Sequence, residues 1–129
     1  MRLVGIDHVQ MAMPVGGEAR ARDYYGRLLG MREVPKPAAL ADRGGCWFEA
    51  PGVIVHLGVQ QDFMPANKAH PAFLVSDLVG LRQRLEEADM TVKPDQAVKG
   101  VDRFYSRDPF GNRLEFIQDG QGFSQRNKS

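Results

Sequence analysis

Residues 3–13 (LVGIDHVQMAM) alternate, with Val9, Met11 and Met13 on one face and His8, Gln10 and Ala12 on the other. A period of two predicts a half-buried strand whose second face carries polar groups. Pro14 and the Gly16-Gly17 pair end it. Over 18–29 (EARARDYYGRLL) the apolar positions change to helical spacing, at Ala21, Tyr24, Tyr25, Leu28 and Leu29, and Gly30 supplies the stop. Short strands are predicted at 31–34, 45–50 and 53–60, and the loop PKPAALADRGG before the second has room for one helical turn.

The second half repeats this order. A strand over 70–76 shows Phe73 and Val75 on its apolar face. Asp77 is placed to cap a helix over 78–89, and strands follow near 90–93, 102–107 and 112–118. Asp108-Pro109-Phe110-Gly111-Asn112 is a strong turn signal between the last two. The chain therefore reads βαβββ twice. His8 and His70 lie 62 residues apart, whereas Gly52 and Gly111, and likewise His56 and Glu115, lie 59 apart. Three extra residues in the first strand-to-helix turn account for the change, and such a duplication fixes the architecture. The expected fold is α+β, two tandem βαβββ modules forming curved mixed sheets around a cup. Residues 1–118 form one domain, with modules over 1–62 and 66–118, and 119–129 is a mobile polar tail.

Composition narrows the functional classes. A chain of 129 residues with 43% hydrophobic and 26% charged residues suits one globular domain. Seventeen basic against sixteen acidic residues leave no electrostatic footprint for nucleic acid. No apolar run nears the roughly 20 residues of a membrane span. Asp7 and His8 interrupt the start of the chain where a signal peptide needs unbroken apolar residues, so a cytoplasmic location is expected. A single cysteine, Cys46, excludes an intrachain disulfide and any multi-cysteine zinc site.

The three histidines carry the chemistry. His8 and His70 hold equivalent places in the first strands of the two modules, and His56 and Glu115 hold equivalent places in the last. Each lies on the face opposite the residues expected to pack under the helices. Three imidazoles and one carboxylate make a donor set for a divalent transition ion (Zn, Ni, Mn, Fe or Co) rather than for Ca or Mg. Arg103 and Tyr105 alternate with Phe104 and face the same cup, where a guanidinium would grip an anionic oxygen. Gln10, two residues after His8, is placed to orient a substrate.

The segments GIDHVQMAM, ARDYYGRLLGM, VIVHLG, AHPAFLVSD and the closing Asp108-Pro109-Phe110-Gly111-Asn112-Arg113-Leu114-Glu115 run resemble the vicinal oxygen chelate superfamily of glyoxalases, bleomycin resistance proteins and extradiol dioxygenases. The resemblance spans residues 3–118. It implies a metal on the concave face and chelation of two vicinal substrate oxygens. It also places His8, His70 and Glu115 on metal positions, with His56 where glyoxalase I has a glutamate that serves as ligand and, in some members, as base. The reaction implied is a glyoxalase-like lyase or isomerase step, with Glu115 as ligand and His56 as proton shuttle. A metal-free drug-binding protein, a small dioxygenase and a thiol transferase are the alternatives on the same fold. The family also builds cups from the N-terminal module of one chain and the C-terminal module of another, which implies a homodimer with shared sites.

Overall fold

In the computed structural model, residues 1–126 are described. The chain divides into two compact units, the first Met1–Pro65 and the second beginning at Ala66. The first unit runs β1 (Val9–Met13), α1 (18–28), β2 (Arg32–Val34), a 3₁₀ segment (Ala38–Arg43), β3 (Cys46–Ala50) and β4 (Val53–Val59). Its sheet order is β1-β4-β3-β2, with β1 parallel to β4 and the remaining pairs antiparallel. The second unit runs β5 (Ala72–Val75), α2 (Leu78–Glu87), β6 (Lys93–Pro94), β7 (Arg103–Arg107) and β8 (Arg113–Gln118), in the order β5-β8-β7-β6 with the same directions. The βαβββ repeat is thus present in both halves. The register confirms both offsets. Gln10 faces His56 across β1/β4 as Ala72 faces Glu115 across β5/β8.

Three elements depart from expectation. The first strand starts at Val9 rather than at residue 3, and Leu3, Val4 and Ile6 are fully exposed. The parallel register explains this: Val9 faces Val55, and β4 reaches back only to Val53 before the chain reverses at Pro51-Gly52. Residues 3–6 therefore find no ladder in their own unit. The helix over 18–28 is α-helical only across Glu18–Ala21 and becomes π-helical across Arg22–Leu28, with Leu29 N–H donating to Tyr24 C=O at 2.9 Å. The wider ring carries the adjacent Tyr24 and Tyr25 into the core together, 1% and 0% exposed. The early part of the polar tail is built onto the second unit. Asp119 N–H donates to Val75 C=O, and Gln125 closes a 3₁₀ turn over Phe123–Gln125 by accepting from the backbone N–H groups of Gly120 and Gly122. The expectation for 127–129 lies outside the described residues.

Asp77 caps α2 as expected, its carboxylate accepting from Gly80 N–H at 3.0 Å. The Asp108–Asn112 turn is tied just as locally. Buried Asp108 accepts from the N–H groups of Phe110 and Asn112 through Oδ1 and from the Asn112 amide through Oδ2, each at 2.9 Å. Gly111 completes the reversal at φ +91°. A β-branched residue there is strained, so Gly111→Val should cost about 1–3 kcal/mol in denaturant unfolding. Glu115, four residues after Gly111 and within β8, should lose its register in the same variant. A melting curve that matches wild type would contradict this reading of the turn.

Candidate metal centre

The first unit brings His8 and His56 together. β4 lies between β1 and β3, so His56 is flanked on both sides: Trp47 faces it across β3 with rings 3.7 Å apart and 3° from parallel, and His8 stacks against it at 4.2 Å. His8 Nδ1 is 2.8 Å from Asp7 Oδ2, which fixes one ring nitrogen and leaves Nε2 available. His56 is buried, and burial is the main reason its pKa is held below that of a free imidazole, with neighbouring His8 adding to the effect. A neutral imidazole is the form that ligates a metal or accepts a proton. Gln10 sits beside His56 in the parallel register, and its side chain lies over Gly58, where a Cβ would come within 2.2 Å of the amide nitrogen. A glycine there is what gives Gln10 its place.

The second unit joins His70, Glu115, Arg103 and Tyr105. Tyr105 faces Glu115 across β7/β8, and Arg103 stands two residues before Tyr105 on the same face. Glu115 is 5% exposed, and its two oxygens have different partners. Oε2 accepts from Arg103 Nη1 at 2.9 Å, and Oε1 lies 2.9 Å from His70 Nε2. Arg103 also donates to Tyr105 Oη at 3.1 Å and pairs with Asp95 at 3.3 Å. The Glu115 hydrogen bond is the largest influence raising its pKa, so the guanidinium stays charged. Its two Nη atoms are engaged by Glu115, Tyr105 and Asp95, while its buried Nε has no partner. The His70 ring packs edge-on to Tyr105 at 5.3 Å.

The His70–Glu115 contact bears on metal binding. His70 Nδ1 is 2.8 Å from the Lys68 carbonyl oxygen, which only accepts, so Nδ1 carries a proton. Nε2 and a carboxylate oxygen do not approach to 2.9 Å as two bare lone pairs; a proton, or a cation in its place, must lie between them. Two neighbouring ligands of one ion, each at about 2.1 Å, also stand close to 3 Å apart. The pair fits a divalent ion in spacing, in donor type and in having each outer atom held by a second partner. Among the described residues, neither unit gathers three His, Cys, Asp or Glu side chains into a metal-binding group. Each presents two of the four donors named from the sequence.

The sequence pattern does not mark Trp47, Asp7, Asp95 or the Lys68 carbonyl as parts of these clusters. Trp47 was within reach: reflecting β4 back through the Pro51-Gly52 turn sets it opposite His56. The others depend on loop conformations that have no periodic signal. Cys46 is buried at the start of β3 with its thiol pushed up to about 11, chiefly by burial, and is no nucleophile at neutral pH.

No helix among the described residues is long and apolar enough to cross a membrane. In comparisons with known proteins, the chain is 49% identical to a glyoxalase family protein from Bacillus anthracis, over 92% of this chain and 97% of that one, with a TM-score of 0.87. It is 22% identical to a glyoxalase/dioxygenase from Nostoc punctiforme, over 85% and 88%, with a TM-score of 0.69. A variant of the fosfomycin resistance protein FosX from Listeria monocytogenes, complexed with Mn(II) and 1S,2S-dihydroxypropylphosphonic acid, is 15% identical over 99% and 100%, with a TM-score of 0.78. At these two lower identities the likeness is one of fold. No curated protein matches the chain significantly. The family model of the Glyoxalase/Bleomycin resistance protein/Dioxygenase superfamily matches residues 5–116, taking in every strand of both βαβββ repeats but the last two residues of β8, and the chain belongs to that superfamily.

Proposed function

We propose that this protein is a divalent-metal-dependent enzyme of the glyoxalase-like type, acting on a small substrate that presents two neighbouring oxygens. The observation that carries the reading is the His70 Nε2–Glu115 Oε1 pair, 2.9 Å apart with Nδ1 already committed to a carbonyl. His8 and His56 supply the other two donors, and a homodimer that sets the first unit of one chain against the second unit of its partner completes the set. The ion (Zn, Ni, Mn, Fe or Co) supplies Lewis-acid polarisation of the chelated oxygens. The FosX relative's complex with Mn(II) and a dihydroxypropylphosphonic acid supports both the class of ion and the class of ligand.

The chain's own groups do the rest. Arg103 holds Glu115 Oε2 and fixes the carboxylate's orientation. Tyr105 packs against the His70 ring and keeps it facing Glu115. His56, held neutral by burial between Trp47 and His8, takes a carbon-bound proton at its one unprotonated nitrogen when that nitrogen is released from the ion, so that it serves as ligand or as base but not as both at once. Gln10, exposed beside it, orients the substrate. A cytoplasmic location accords with one free, buried thiol. Solvent-deuterium exchange into hemithioacetals and α-hydroxyketones tests the reading. Metal-loaded protein should catalyse exchange, chelated protein should not, and His56→Ala should lose about 100-fold. Exchange that is absent with all five metals, or undiminished by chelation, contradicts it.

A metal-free binding protein is the second reading. What favours it is that His70 and Arg103 engage both oxygens of Glu115 by hydrogen bonds alone.

A further inference from the structure

The second unit carries a cavity of about 500 Å³ lined by Asn67, Thr91, Lys93, Tyr105, Ser106, Arg107 and Arg113. Three of these side chains are cationic, and among the described residues none of the three is paired with a carboxylate. The nearest partners of the two arginines are backbone carbonyls: Arg107 donates to Gly111 C=O at 2.8 Å, and Arg113 to Lys68 C=O at 3.3 Å. The Arg113 guanidinium also lies 4.3 Å from the centre of the Tyr105 ring. Arg107 and Arg113 face each other directly across β7/β8, an arrangement of like charges that a sheet disfavours. Lys93 adds a third positive charge from β6, opposite Tyr105.

The fold does not require these cations. By register, the first unit has Val34 where the second has Lys93, Glu49 where it has Arg107, and Ile54 where it has Arg113. The same βαβββ frame is therefore built in this very chain without a single positive charge at those positions. Three unneutralised cations around one cavity repel one another until an anion enters, and guanidinium groups with an ammonium are the donors that hold oxyanions.

We propose that this cavity binds the anionic group, a carboxylate or a phosphoryl or phosphonyl group, of a small molecule, with Arg113, Lys93 and Arg107 as its partners. Tyr105 lines the cavity and packs edge-on against His70, so one residue separates the anion site from the His70–Glu115 pair. The substrate class that follows is a small acid whose anionic end rests on this wall while its oxygens face the metal pair. That last step rests on the function proposed above; the anion site itself does not.

The test uses chelator-treated full-length protein, so that it reads the cavity without any metal. Calorimetric titration with inorganic phosphate, methylphosphonate and acetate should show saturable binding of at least one of them, one per chain. Arg113→Gln and Lys93→Gln should each weaken it about 10-fold or more, as loss of a charge-assisted contact predicts, while Lys99→Gln, outside the cavity, should leave it unchanged. Tighter binding of phosphate and methylphosphonate than of acetate assigns a phosphorus oxyanion, and the reverse order assigns a carboxylate. No saturable binding of any of the three, or binding equally strong in both cavity variants, overturns the site. Metal uptake, measured separately, keeps a failure here distinct from a failure of the metal-dependent function.

Discussion

Glu115→Gln is expected to lower divalent-metal affinity by at least about 100-fold, with His70→Ala comparable and Glu86→Gln without effect. Loss of an outer partner alone typically costs 10–100-fold, and Glu115 is proposed as a direct ligand. An amide keeps the shape but loses the charge, and it cannot accept from Arg103 as strongly. Because Glu115 is buried and Arg103 is only 11% exposed, the substitution also leaves a guanidinium without its main counter-charge, so some stability is lost as well. Metal affinity by competition with a chromophoric chelator separates the two effects, since Arg103→Met should disturb stability and the carboxylate's orientation while leaving a ligand in place. If Glu115→Gln binds metal as tightly as wild type, Glu115 is not a ligand.

The second large effect concerns where the four donors meet. Each unit holds two of them, His8 with His56 and His70 with Glu115. If sites are shared across a homodimer, His8→Ala and Glu115→Ala chains should each be dead alone and should complement when mixed under exchanging conditions. One site of each mixed dimer is then intact, so random assortment in a closed twofold dimer restores about a quarter of the wild-type sites. Sites formed within one chain restore none. The same arrangement makes dimer and metal stabilise each other by mass action, so chelation should raise the dimer dissociation constant.

The fold is legible in the sequence alone, because a duplication read from its spacing predicts the topology of both units. His56 and Glu115 follow from that arithmetic and from alternation along β4 and β8, whereas His8 and His70, expected inside the first strands, stand just before β1 and β5. Tyr105 and Arg103 follow from alternation too, but the use of Arg103 does not: it is the cross-strand position of Glu115 that turns the guanidinium inward. The start of β1 is not legible there, because alternation shows that a segment could be a strand, not whether a neighbour exists to pair with it. The π-helical stretch is not legible either, because Tyr24 and Tyr25 fit helical spacing equally well in either winding. The cation cavity is invisible in a net charge of +1, since it arises from three residues on three different strands, Lys93, Arg107 and Arg113.

The measurement that bears most directly on the metal reading is equilibrium dialysis of chelated protein against Zn, Ni, Mn, Fe and Co, read by elemental analysis. One equivalent of at least one ion per chain is expected, falling to none when His70 and Glu115 are replaced together. Protein that takes up no stoichiometric metal from any of the five would contradict the account.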